Sequence, residues 1–555
     1  MLKYLIHISF LIPVILFLPG YYGLNTIKSP DRNYIISNDS DKVFATDNLF
    51  KYTANNYVKP YSDIFLFGSN MGYYKGWKDE QIGDILCGNN SVNVFGSGVK
   101  TLRPSLPARF LEKYGYDCKV NTFKHYIFIG AKDNTVIVGY PSDKTKDSTV
   151  FCTEKNQPGK VFKNLYEPIF IRTAKGFEVN PENYYALYLY KTVSLYKEYV
   201  KFWEIWNEPD FDETGKIGYR SKGYSKSWWN VNPEPCDLKN IKAPIFYYNR
   251  ILRISYQVIK FADSSAYIAT GGLGYESFVD AMLRNTDNPV DGSITKEYPL
   301  KSGAYFDCLS FHIYPQYEHI VRHYDVKEKN WYYMRNSDLA AKSIFVKKNN
   351  LQDILGNYGY DGKLYPEKIF ILTEYNIPRK KFDNTLGGSE VQKNFTIKSL
   401  VEIQKAEIAQ AYIYTVGGTD TAKAKKTFDL MGLYTDINLK VPYNCEYTEQ
   451  GIAFKTTSDI LTGTKYDGKK TSELNLPDNI SGGAFRKING KYIFVLWAVS
   501  DKDEFESSEA DYTFAFSENN QITLRYWNYS LTKLESVISP ENIKLNSTPV
   551  FLIER

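Results

Sequence analysis

Several site types are absent from this chain. Its six cysteines, Cys87, Cys118, Cys152, Cys236, Cys308 and Cys445, form no CxxC pair and no metal-ligand spacing, so no metal site is expected. No basic run resembles a nucleic-acid arm. A net charge of +5 spread over 555 residues, with a pI near 8.4, is too weak and too dispersed to point to nucleic acid. No Gly-rich dinucleotide loop follows the first strand signal, which argues against a nucleotide cofactor and an open doubly wound sheet. Long apolar runs are missing except at the start. There Tyr4 to Leu18, broken by His7, Ser9 and Pro13, has the length of a signal-peptide core and is slightly short for a membrane span. No small-x-small cleavage site follows it, so a cleaved signal and an uncleaved anchor both stay open. Either one implies export to the cell envelope or beyond.

What is present is globular. Hydrophobic content of 43% with 24% charged residues excludes wholesale disorder, and the length implies more than one domain. Aromatics reach 16%, led by 48 tyrosines, a composition that suits sugar stacking as well as core packing. Connectivity of the cysteines is not legible, although Cys308, inside an apolar strand, reads as a buried free thiol.

Residues 1–22 are the signal or anchor. Residues 23–60 form an irregular leader able to add a strand to a β domain. From 61 to 465 strands alternate with helices. Strand signals occur at 64–67, 99–102, 136–138, 202–206, 267–270, 306–311, 369–372 and 411–414. Helical periodicity lies at 79–86, 106–114, 184–200, 245–261, 339–355, 390–409 and 449–461. Eight strand signals, most of them separated by a helix, predict a (β/α)8 TIM barrel. From 466 to 555 short strands follow one another with no helical pattern between them, which predicts an accessory C-terminal β-sandwich.

Two strand ends carry chemistry. Phe202-Trp-Glu-Ile-Trp-Asn-Glu-Pro209 is an aromatic-rich strand that Pro209 stops, leaving Glu208 at its tip. Ile369-Phe-Ile-Leu-Thr-Glu374 has the same design. On strands four and seven, both carboxylates would face the C-terminal mouth, where barrels place their catalytic groups. Cleaving a glycosidic bond needs such a pair, one acid and one carboxylate. Glu204 lies inside its strand and is a weaker candidate, placed lower in the barrel. Trp77, Trp228, Trp229 and Trp331 fall in loops as either sugar platforms or packing.

Trp206-Asn-Glu-Pro with Thr373-Glu-Tyr-Asn resembles clan A of the retaining glycoside hydrolases. The fuller first motif, Ser310-Phe-His-Ile-Tyr and the trailing β module look most like family 39, a family of β-xylosidases, α-L-iduronidases and exopolysaccharide endoglycosidases. The resemblance implies Glu208 as general acid/base and Glu374 as nucleophile. It implies substrate-binding roles for Asn207, Arg103, His312, Tyr314 and Trp206, with Arg103 keeping Glu374 ionised. It implies a polysaccharide or oligosaccharide substrate and no cofactor. The chain departs from the clan at strand eight, where Tyr412-Ile-Tyr414-Thr-Val replaces the usual Trp. Two other readings are a catalytically inactive barrel that binds polysaccharide and a membrane-anchored component of exopolysaccharide assembly.

Overall fold

The computed structural model describes residues 53–61, 64–174, 176–325, 327–514 and 521–554. The segment 1–22, and the leader up to residue 52, lie outside these. Eight strands form one parallel sheet: β1 (Leu66–Asn70), β2 (Thr101–Arg103), β3 (Asn134–Val138), β4 (Val200–Ile205), β5 (Tyr267–Ala269), β6 (Cys308–Ile313), β7 (Ile369–Tyr375) and β8 (Gln410–Ile413). Each pairs with its chain neighbours except across β2 and β3, and β8 returns to β1. Between β2 and β3 the ring is completed by a parallel bridge, Ser105 to Ile137, and by Leu106 N donating to Ile137 O at 2.9 Å. The fold is therefore the expected (β/α)8 barrel.

Some of the helices outside the ring begin where the sequence offers side-chain acceptors. Asn183 accepts from Ala186 N at 3.0 Å to open Tyr184–Tyr196, and Asn336 accepts from Leu339 N at 2.9 Å to open Ser337–Asn357. The helical pattern read over 184–200 stops at Tyr196, because Val200 already belongs to β4. No helix among the described residues is long and apolar enough to cross a membrane.

Alternation along β4 divides its side chains between two cores. Trp203 and Ile205 point outward into the helix layer, whereas Phe202 joins Tyr267, Ala269, Cys308 and Ile371 inside the barrel. The floor is closed by Tyr61, whose ring meets Phe202 at 5.1 Å and Tyr267 at 5.9 Å edge-on, with its hydroxyl on Asp133. The described end of the leader thus lies beneath the barrel, where Ala54 N also bonds Ala304 O, and it adds no strand to the β domain. Cys308 is a buried free thiol, as its apolar strand suggests.

The C-terminal region contains β9 (Lys465–Tyr466), β10 (Ile480–Arg486), β11 (Tyr492–Ala498), β12 (Glu509–Tyr512), β13 (Ile522–Arg525), β14 (Glu535–Ile538), β15 (Ile543–Asn546) and β16 (Val550–Glu554). A six-stranded antiparallel sheet, ordered β9-β10-β11-β16-β13-β14, faces the β12–β15 pair across an apolar layer that includes Phe494, Phe514 and Leu552. Two short helices, Gly468–Glu473 and Tyr529–Thr532, interrupt what the sequence presents as uninterrupted β structure. They are too short to show helical periodicity. The sandwich is tied to the barrel through Asp338, which accepts from Trp497 Nε1 at 2.7 Å and pairs with Lys398 at 2.8 Å.

Candidate active site

All the polar residues singled out at strand ends meet at the C-terminal mouth. Arg103 ends β2 and is nearly inaccessible. Its Nε donates to Glu204 Oε2 at 2.6 Å, Nη1 to Asn70 Oδ1 at 2.6 Å and to Glu374 Oε1 at 2.7 Å, and Nη2 to Asn207 Oδ1 at 2.6 Å. One planar guanidinium therefore fixes three strands and the tip of β4. Burial works against its charge, but Glu204 and Glu374 outweigh that and hold its pKa above the ordinary value.

Glu374 is positioned by its register. Opposite His312 on β6, the β7 ladder slips at Thr373, and this irregularity re-aims the carboxylate toward the mouth. Its second oxygen accepts from the Tyr314 hydroxyl at 2.6 Å. Burial would favour the neutral acid. His312, Arg103 and the Tyr314 hydrogen bond override it, and the carboxyl is held below the usual glutamate range. Burial and the Glu374 charge in turn push the Tyr314 phenol well up, so it stays a donor.

Glu208 reaches the same space by a different device. Trp206 and Glu208 both adopt left-handed backbone, φ 75° and 47°, in a tight turn pinned by Glu208 N donating to Gly271 O at 2.6 Å. Gly271 and Gly272 must be glycine here. A Cβ on Gly271 would stand 2.5 Å from Ile205 O, and one on Gly272 would stand 2.2 Å from the His312 ring. Asn240 braces the turn from outside by donating to the carbonyls of Asn207 and Glu208.

His312 sits between the carboxylates. Its Nδ1 lies 2.9 Å from Glu208 Oε1 and 3.8 Å from Glu374 Oε2, and its Nε2 lies 3.0 Å from Thr373 Oγ1. Burial disfavours the imidazolium, but Glu374 and Glu208 outweigh it and raise its pKa above the usual histidine value. One atom each from Glu208, His312 and Glu374 lie within 4.8 Å of one another. Such a set could also hold a cation, but Arg103 and Tyr314 already engage both oxygens of Glu374. The donors are thus directed at protein groups.

Glu204 is wholly buried, below Arg103, and accepts from Ser310 Oγ and Thr373 Oγ1, each at 2.8 Å. Its inward parity on β4 puts it in the barrel interior, away from the mouth. Trp206 departs from the expected substrate contact. The left-handed turn swings its indole outward, where it is fully buried and stacks on Tyr140 at 5.1 Å. Of the four loop tryptophans, Trp77 and Trp228 are buried as packing, whereas Trp331 is 47% exposed. Tyr414, at the end of β8, stands edge-on to Tyr314 at 6.1 Å in the place of the expected Trp.

Asn70 and Asp210 went unrecognised in the sequence. Asn70 closes the Phe-Gly-Ser-Asn run of β1, so the only available signal was its place at a strand end. Asp210 follows the Asn-Glu-Pro motif directly. It is buried, accepts from Gly274 N and Tyr275 N, and burial pushes its pKa up to about 7 against those two bonds.

No family model matches the chain, and no curated protein matches it. Among solved structures, it is similar to a family 39 glycoside hydrolase from the gut symbiont Bacteroides cellulosilyticus WH2. The TM-score is 0.54 at 13% identity, over 90% of this chain and 83% of that one, and it establishes a shared fold. A monomeric beta-xylosidase from Caulobacter crescentus CB15 matches with a TM-score of 0.49 at 13% identity, over 90% of this chain and 97% of that one. The catalytic domain of GH30 xylanase C from Talaromyces cellulolyticus gives 0.47 at 14% identity, over 90% and 99%.

Proposed function

We propose that the chain is a retaining glycoside hydrolase of the family 39 type, acting on a polysaccharide or oligosaccharide by double displacement. The observation that carries this reading is the carboxylate pair itself. Glu208 and Glu374 present oxygens within 4.8 Å of each other at the barrel mouth, close to the short spacing that retaining enzymes use. The family 39 glycoside hydrolase with the same fold is consistent with it.

In the first step Glu374, ionised and aimed by Arg103 and Tyr314, attacks the anomeric carbon as the glycosidic bond breaks. Glu208 gives its proton to the leaving oxygen. In the second step Glu208 takes a proton from water, and that water releases the sugar from Glu374. Asn207, held by Arg103, offers its amide to the sugar hydroxyl beside the reacting carbon. His312 contacts both carboxylates and can supply or accept the proton of Glu208.

Export is part of the proposal. It rests on the apolar segment 4–18 and on the Cys152–Cys236 disulfide, which joins the loops after β3 and β4 and suits an oxidising compartment. Glu374→Ala is expected to abolish turnover of aryl glycosides, with partial rescue by azide. Full activity in that variant would end the assignment. Proton NMR of the first product should show the anomeric configuration of the substrate retained.

A further inference from the structure

A cavity of about 1000 Å³ opens beside the carboxylate pair, between the loops after β2, β3 and β4. Asn240 lines it and also donates to the backbone carbonyl of Glu208 at 3.0 Å. Tyr140, another lining residue, stacks on Trp206 and is near enough for Arg103 and Glu208 to act on its hydroxyl. The cavity thus adjoins the turn that carries Glu208.

Its charge is one-sided. Arg109, Lys113, Lys144, Lys146 and Lys160 line it, against two acids, Glu112 and Asp143. Glu112 is already engaged by the Ser142 hydroxyl. None of the five cations has a carboxylate within 4.0 Å among the described residues. Lys160 is pushed below the ordinary lysine value by burial and by Lys242, Lys239 and Lys146, against the pull of Glu213. In a chain whose net charge is only +5, this excess is local to one concave wall. A cleft lined by one sign of charge concentrates ligands of the other sign.

We infer that the cavity between the β2, β3 and β4 loops is a subsite for an anionic glycan, binding carboxylate or sulfate groups on sugars that flank the bond between Glu208 and Glu374. The inference rests on the glycoside hydrolase reading and narrows its substrate class. Arg109 lies over the Tyr140 ring at 5.3 Å, which leaves its edge free to receive a planar carboxylate or a sulfate.

The test uses the full chain carrying Glu374→Gln, which should bind without turning over. It is applied to an array of neutral, uronic-acid-containing and sulfated oligosaccharides, together with a single-stranded oligonucleotide. The bound glycans should be acidic, and the uronic-acid and sulfated arms tell which group is read. Binding should fall about tenfold or more in 0.5 M salt and in the Lys144→Gln/Lys146→Gln/Lys160→Gln variant. The matching Lys→Arg triple variant keeps the charges, so it should bind like its parent and separates charge from folding. Preference for neutral glycans, binding of no glycan, equal binding of the oligonucleotide or indifference to the Gln triple would each overturn the inference. Hydrolysis of any glycan by the unmodified chain tests the catalytic reading separately. A neutral-glycan hydrolase would keep that reading and lose this one.

Discussion

Nδ1 of His312 lies 2.9 Å from Oε1 of Glu208, so the proposed acid/base shares its proton environment with a buried imidazole. The same ring is 3.8 Å from Glu374 and is charged above the usual histidine range by both carboxylates. The pH profile of kcat/KM should follow from this. Its acid limb reports ionisation of Glu374, which is held below its ordinary value of 4.5, so the limb should lie below that pH. Its basic limb reports loss of the proton held between Glu208 and His312, and the raised value of His312 places it above 6.5. In His312→Gln the imidazolium no longer lowers the Glu374 pKa, and the acid limb should move to higher pH. An acid limb that stays in place would show that His312 does not act on Glu374.

Tyr314→Phe removes one of the two protein donors on Glu374 and leaves the ring packed against Phe428 at 4.7 Å. A hydrogen bond to a charged group contributes about 1.5–3 kcal/mol, so kcat/KM should fall about 10- to 100-fold. The lost bond also lowered the Glu374 pKa, so the acid limb should shift upward here too. A drop in activity with an unmoved limb would mean that the hydroxyl contacts substrate instead of tuning the carboxylate.

The barrel and the carboxylate pair were legible because each barrel strand is a short apolar run that ends in polar residues. Glu208 and Glu374 sit at such ends. Arg103, His312 and Tyr314 entered through the family resemblance, which placed them beside the same strand ends. The resemblance implied a substrate contact for Trp206, whereas its indole is buried against Tyr140. The left-handed turns at 206 and 208 reset which side each residue faces, and nothing in Trp-Asn-Glu-Pro announces them. Glu204 was placed correctly within the barrel, but its role was not visible. Its partners Arg103, Ser310 and Thr373 come from three other strands, and such contacts appear only once the ring closes. The Cys152–Cys236 bridge spans two loops of irregular pattern, so its pairing depends on tertiary contacts.

Asp210 offers a stability test. Its unfolded value is near 3.8, and burial raises the folded one to about 7. The folded state therefore holds its proton more tightly, and stability from this group is present below pH 3.8 and lost as pH rises toward 7. Asn keeps an oxygen for the bonds from Gly274 N and Tyr275 N without a charge to bury. Asp210→Asn should raise Tm relative to the parent at pH 8 and change it little at pH 4. Thermal melts at the two pH values decide it. An equal effect at both would show that Asp210 is already ionised in the fold.

Arg103 and Glu204 form the deepest charged contact of the site, 2.6 Å apart with both side chains essentially inaccessible. Arg103→Met strips the cation from Glu204 and from Glu374 together. Removing one partner of a buried pair typically costs about 3–5 kcal/mol because the other charge is left without compensation. Thermal unfolding should show a large fall in Tm. Glu204→Gln alone should be milder, since Arg103 keeps Glu374, Asn70 and Asn207 as partners. In the double variant the stranded charge of Glu204 is gone, and about half or more of the lost stability should return. Activity should stay low in that double variant, because nothing replaces the guanidinium on Glu374 and Asn207. If the two substitutions were simply additive in Tm, Arg103 would act on the fold through packing, and the charge argument for its placement would fall.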